Sequence, residues 1–446
     1  MKNWKMTVEQ FGKIRKAEIE FAPLTLFVGD NNSGKSYLLS LSWAMRTIVK
    51  EFMFDLAFLK ESPSDSFNVL FKLLGEKINS VTEEQPEFID FSIVQPYLQS
   101  LINEAVECNK EKLIKALFNS DSVKIGKMSL LIPDNLSGAI EISIVEDRIE
   151  FLYGEQSAFI DLSYWKAKEE NDRNRAVVAT YILFLIWTLL GVEHISYESV
   201  YLPAARTGFM LTKDIINSYA RKKTFDIEVN SVKNEPIQPF SRPIIEFLNV
   251  INDMSAEQKG NDQYKKLVVF IQNEMVQGNI EISALAGKEL SYIPKGQQQR
   301  YPFRTTSAVV TELSPLLLLL EHKEELPGIF YEEPEMCLHP ALQKKMGQLL
   351  IKMVNAGIDV TATTHSDIIL QHINNMIRLQ EQDMSELSYD DSDRISKDKV
   401  RVYQFTNLSD GTTDVTELKC GDNGFVVPTF NDALDEIMDE TIMIQK

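Results

Sequence analysis

The segment Gly29-Asp30-Asn31-Asn32-Ser33-Gly34-Lys35-Ser36 follows the pattern G-x-x-x-x-G-K-[ST], with an apolar strand-like run before it and an amphipathic helical run after it. Glycines let such a backbone curl until its N–H groups and the start of the next helix face one point, which favours phosphate there. Lys35 supplies the charge for β- and γ-phosphate oxygens and Ser36 a hydroxyl for Mg2+, so the cofactors implied are ATP and Mg2+. Hydrolysis further needs carboxylates at the end of a neighbouring strand. The stretch GIFYEEPEMCLHP provides them. Ile329 to Tyr331 read as a buried strand, Glu332 stands where a metal-associated carboxylate belongs, and Glu333 is the candidate general base. His365 ends a third strand-like run, IDVTATTH, where an imidazole can donate to a γ-phosphate or to the water attacking it.

These groups need strands that end side by side. WKMTVEQFGKIRKAEIEF alternates like two strands about Phe11-Gly12, and Leu24 to Val28 form an apolar strand running into the glycine loop. Leu38, Leu41, Met45, Ile48, Phe52, Leu56 and Leu59 recur at steps of three and four, which predicts one long helix after the loop. From Ser307 the order helix, strand, helix, strand, helix is βαβ alternation and implies a parallel sheet. A hairpin follows, Val400 to Phe405 and Thr413 to Leu418, and then a terminal helix with Leu434, Ile437, Met438 and Ile442. The expected division is 1–60, the first part of the core with the loop; 61–175, a mixed α/β insertion with strands near Met128 to Ile132, Ile140 to Val145 and Ile149 to Tyr153; 176–212, core; 213–277, a helical insertion; and 278–446, the second part of the core. No heptad pattern predicts a long coiled-coil arm.

The formal charge is 46 basic minus 65 acidic residues, or −19. A surface that grips nucleic acid throughout is therefore excluded, and any DNA contact must be local. Arg221, Lys222 and Lys223 are the densest basic run and read first as a solvated helix face. Cys108, Cys337 and Cys420 lie far apart in no paired or metal-ligand spacing, which fits a reducing cytoplasm. The N-terminus lacks a signal-like apolar run. The longest apolar run, Ala176 to Gly191, falls short of the ~20 residues that span a bilayer and reads as a buried core helix, so no membrane partner is expected.

With these motifs in order, the chain resembles the ABC-type ATPase heads of SMC-like, RecF-like and OLD-like proteins. GDNNSGKS is similar to their G-x-N-x-x-G-K-S loop, with Asn31 at the asparagine; EEPEMCLHP resembles their D-E-P-x-x-x-L-H-P stretch, and TTHS their switch-histidine strand end. The resemblance covers residues 1 to 60 and 180 to 446. It implies an α/β fold: a mostly parallel sheet, an antiparallel β-subdomain at the N-terminus, and helical and mixed insertions. It further implies a head-to-tail homodimer or higher homo-oligomer in which Ser307, ahead of AVVTELSPLLLLLEH, touches the partner's γ-phosphate in trans. Tyr201-Leu-Pro-Ala-Ala-Arg206 looks like the L-P-x-x-R strand end of compact defence-associated members, where Arg206 either approaches the nucleotide and dimer interface or forms a structural ion pair.

OLD-like nucleases append a Toprim domain, for which the stretch after His365 is short. Asp390, Asp391 and Asp393 lie in a polar run that reads as a surface loop rather than a metal site. The expectation is the ATPase subunit of a bacterial anti-phage or abortive-infection system of Septu-like or PARIS-like type, acting in the cytoplasm with a separately encoded effector nuclease. Two alternatives stand beside it: a RecF- or SMC-like DNA-repair ATPase that binds DNA directly, and an ATP-sensing scaffold with little turnover.

Overall fold

A computed structural model describes residues 4–52, 64–133, 138–165, 172–190, 199–225, 240–254, 260–283, 289–379, 387, 389–422 and 424–444. The chain opens with the hairpin β1 (Lys5–Phe11) and β2 (Ile14–Glu20) and continues into β3 (Leu24–Gly29). It divides into two units, one made of Met1–Glu20, Ala44–Ala116 and Ser120–Ser196, the other of Phe21–Trp43, Leu117–Asn119 and Tyr197–Lys446.

In the first unit β1 pairs antiparallel with β2 (Val8 opposite Ala17) and with β5 (Lys127–Leu131; Met6 opposite Leu130). A separate antiparallel sheet runs in the order β4 (Glu87–Asp90), β6 (Ala139–Val145), β7 (Arg148–Tyr153), β8 (Gln156–Asp161). Ile149, Phe151 and Tyr153 turn inward at every second position of β7, as a half-buried strand demands. Phe151 packs its ring on Tyr181 of the helix Asp172–Leu190. By length and composition that helix is apolar enough to cross a membrane, yet Val178, Tyr181, Ile182, Leu185 and Ile186 are fully buried, as in a core helix.

The second unit carries a six-strand run in the order β16 (Thr413–Leu418), β15 (Val400–Asn407), β3, β14 (Asp359–Thr363), β13 (Gly328–Glu332), β9 (Val200–Leu202). All neighbours in it are parallel except β15 and β16, so it is a mostly parallel sheet. All six residues of β3 are buried, which is why its sequence is a continuous run and not an alternation. A small antiparallel sheet, β10 (Gly278–Ile282), β11 (Leu290–Pro294) and β12 (Tyr301–Pro302), belongs to the same unit.

The long helix expected after the glycine loop is instead two pieces, Lys35–Arg46 and Val49–Phe52. Thr47 and Ile48 form a turn, yet Ile48 still donates to Ala44 O at 3.0 Å and stays buried. The apolar period therefore runs through the break. Leu56 and Leu59 lie outside the described residues, as do the side chains of Arg221, Lys222 and Lys223 on the helix Arg206–Phe225. Helical sequence expected from Lys213 begins earlier, at Arg206, directly after β9, and ends in a π-turn over Ile271–Met275.

Candidate active site

The parallel strands β3, β9, β13, β14 and β15 deliver their C-terminal ends together, the edge where open α/β sheets place ligands. β3 lies between β14 and β15, so the loop that follows it leaves the sheet where the strand order reverses.

Gly29 to Ser36 form a curled backbone. Gly29 has φ +117 and Gly34 φ +91, and a Cβ on Gly29 would stand 2.1 Å from Phe405 O of β15. Only glycine fits there. Asn32 takes φ +54, a conformation asparagine tolerates. The loop is held by its own atoms and by β15: Asp30 N donates to Phe405 O (3.1 Å), Ser33 Oγ to Asp30 O (2.7 Å), Asn407 N to Asp30 Oδ2 (2.8 Å) and Asn407 Nδ2 to Asn31 O (3.0 Å). Lys35 is buried and turns its ammonium onto Gly29 O, Asp30 O and Ser33 Oγ. Burial lowers its pKa to about 8, against the opposing pull of Glu333, Asp30 and Glu335. Ser36 is exposed at the start of the helix.

At the end of β13, Glu332 accepts from Ala204 N at 2.8 Å through Oε2. The Tyr201 hydroxyl, 3.1 Å from Ser40 Oγ, is pushed well up by burial and by the charge of Glu332. Glu333 has φ +42, a left-handed backbone on a non-glycine residue, and its N–H donates to Thr363 O (3.0 Å) and Thr363 Oγ1 (3.2 Å) of β14. Burial, then the neighbouring Glu332, raises the Glu333 pKa, while Lys35 and Arg206 pull it down. His365 Nε2 lies 4.0 Å from Glu333 Oε1, and burial followed by the charge of Lys35 lowers the His365 pKa, favouring the neutral ring.

Two residues that sequence reading missed complete the cluster. Glu335 accepts from His365 N (2.6 Å) and Thr364 Oγ1 (2.9 Å), so its carboxylate fixes the strand end that carries the histidine. Burial raises its pKa and these same bonds oppose the rise. Asn407 clamps the loop as described. The extra glutamate in EEPE was visible in the sequence, but nothing local marked Asn407.

Arg206 is fully buried and forms an ion pair with Glu312 (Nη2 to Oε1, 2.8 Å). Its other donors reach Pro203 O, Glu332 O and Glu333 O, which places it behind the carboxylates and not in the mouth of the loop. Ser307 is exposed and N-caps the helix Ala308–His322 without a side-chain bond to it; it lines a surface groove of about 970 Å³ with Tyr292, Tyr301 and Lys295. Asp390 caps a short turn, and Asp393 pairs with Lys352 at 2.9 Å. Among the described residues no group of three or more His, Cys, Asp or Glu could hold a metal ion alone.

The chemistry suits a phosphate ligand: a curled glycine backbone opens a helix, and the buried Lys35 ammonium rests on the loop oxygens Gly29 O, Asp30 O and Ser33 Oγ. For Mg2+ the donors are hard oxygens, the Ser36 hydroxyl and Glu332, which suit that cation in the presence of phosphate.

The AAA ATPase domain model matches residues 1–370. No curated protein matches the chain. Among solved structures the chain is similar to an SMC head bound to the C-terminal winged-helix domain of ScpA (13% identity, 93% of this chain and 97% of that one, TM-score 0.38). It is similar as well to the SMC head domain from Thermotoga maritima (13%, 94% and 100%, TM-score 0.36). A third is an Smc head with an extended coiled coil, bound to the C-terminal domain of ScpA derived from Pyrococcus furiosus (15%, 100% of both, TM-score 0.38). A family model covering most of the length accords with the loop and the strand-end carboxylates: the chain belongs to the AAA ATPase domain family.

Proposed function

We propose that the protein hydrolyses ATP with Glu333 as general base. The observation that carries this is the cluster itself: a half-buried glutamate 4.0 Å from a histidine whose pKa burial lowers, in the field of the loop lysine. On this reading the backbone N–H groups of Gly29 to Ser36 and Lys35 bind the phosphates, Glu333 takes a proton from the attacking water, and His365 orients that water or donates to the γ-phosphate. Bound Mg2+ would be held by Ser36 and Glu332 and would offset charge on the β- and γ-phosphates. Asn31, Asn32 and Ser33 shape the loop. Ser307 serves a second copy's nucleotide across a head-to-tail homo-oligomer, consistent with its exposure at a helix N-terminus.

At the level of biology, we propose an ATPase subunit of an anti-phage system working in the cytoplasm with a separate effector nuclease. The net charge of −19 supports a partner, in place of this chain, for any broad contact with nucleic acid. Purifying tagged Glu333→Gln protein with ATP and Mg2+ tests this, since the variant should retain the nucleotide-bound assembly. A stoichiometric second protein with a metal-nuclease sequence is expected. DNA retained with no such protein would contradict it and favour a DNA-repair ATPase.

A further inference from the structure

Arg206 and Glu312 are the one arginine–glutamate pair among the described ion pairs with both side chains at 1% exposure or less. Burying two charges costs several kcal/mol per ion unless geometry and further hydrogen bonds repay it. Here the repayment is directed at particular atoms. The guanidinium donates to Glu332 O at 2.6 Å and Glu333 O at 3.1 Å, lies 4.7 Å over the Tyr331 ring, and its Nε reaches Glu312 O at 3.3 Å. Glu312 in turn accepts from Thr207 N (2.9 Å) and Thr207 Oγ1 (2.7 Å). A purely structural pair has no need to converge on the two carbonyls beside the hydrolytic carboxylates.

Those carbonyls belong to a backbone that would not hold its shape unaided. Glu333 is left-handed at φ +42, which costs a non-glycine residue on the order of 1–3 kcal/mol and persists only where the surroundings over-determine it. Its N–H is fixed by Thr363 and its carbonyl by Arg206 and by Met336 N (3.0 Å). The same guanidinium is tied through Glu312 to the helix Ala308–His322, which begins at Ser307.

We propose that Arg206 is a positioning residue for the Glu333 carboxylate, and that Glu312 extends this positioning to the helix beginning at Ser307, so that the placement of that helix and the aim of the general base are set together. This rests on the reading of Glu333 as the base. Lysine keeps the charge opposite Glu312 but cannot fork onto two carbonyls as arginine does.

The test compares wild type, Arg206→Lys, the double variant Arg206→Met with Glu312→Leu, and Glu333→Gln by steady-state hydrolysis and thermal melting. The double variant removes both charges, a change that buried pairs commonly tolerate in stability. A roughly 10- to 100-fold fall in kcat is expected in Arg206→Lys and in the double variant, as for a misplaced catalytic group. KM for ATP should stay within about two-fold, because ground-state binding is untouched. A folded variant of either kind that hydrolyses at the wild-type kcat, or one whose loss lies in KM, overturns the proposal. If Glu333→Gln itself hydrolyses like wild type, the reading of the base has failed instead, which separates the two.

Discussion

At the end of β3 the chain is held by one backbone pair and by short polar contacts of Asp30, Ser33, Lys35 and Asn407 to loop backbone, whereas at the end of β13 a buried ion pair stands behind it. The glycine loop is fastened by Asp30 N to Phe405 O and by Asn407 to Asp30 and Asn31, with Gly29 against the neighbouring strand. The glutamate turn is fastened by Arg206 and Glu312 behind it and by Glu335 beside it, around a backbone that glutamate does not favour. The contrast suits the two tasks proposed for these ends. Phosphate recognition wants fixed N–H dipoles, which backbone supplies without titrating, and proton transfer wants a carboxylate whose affinity burial and neighbours can tune.

Changes at the two ends should therefore fail differently. The largest effect is expected from Glu333→Gln, a fall in hydrolysis of ~10²–10⁴-fold with ATP affinity nearly retained; parallel phosphate-release and nucleotide-binding titrations check it. Next is Gly29→Ala, which pushes a Cβ against Phe405 O and forces a φ that alanine resists. A stability loss of roughly 3 kcal/mol is expected together with loss of nucleotide binding, read by chemical denaturation and ATP titration.

Glu321 sharpens the comparison from within the helix that carries Glu312. Among the described residues it has no ion pair and accepts from Gln272 alone (2.9 Å), and burial raises its pKa to about 7. The folded state then holds a proton that the unfolded chain releases, so stability falls as pH rises from the unfolded value near 4.5 to about 7. Denaturation curves at pH 5 and pH 8 should show Glu321→Gln removing a penalty of roughly 3 kcal/mol at pH 8, most of which is absent at pH 5. The smallest effect is expected from Asn407→Ala, which unclips the loop: ATP affinity should drop several-fold, corresponding to ~1 kcal/mol, while kcat stays put.

What the sequence made legible divides along the same line. Gly29 to Ser36 could be read because a backbone-built site needs glycines at set positions, and Glu332, Glu333 and His365 because parallel strands bring their ends to one edge. The partners that hold them were not legible. Arg206 meets a glutamate 106 residues away, and Asn407 meets the loop 376 residues away, pairings that no local spacing encodes. The helix break at Thr47 was hidden for another reason. Periodicity reports which face is buried, and Ile48 remains buried across the turn. Strands β4 and β8 escaped because Phe88 and Phe159 point outward and blur the alternation.

Single-turnover hydrolysis of bound ATP by wild type and Glu333→Gln, with occupancy measured on the same samples, decides whether Glu333 takes the proton in ATP hydrolysis. Equal occupancy with hydrolysis confined to wild type is the predicted result. Equal occupancy with equal rates would contradict that role for Glu333 and assign the base elsewhere.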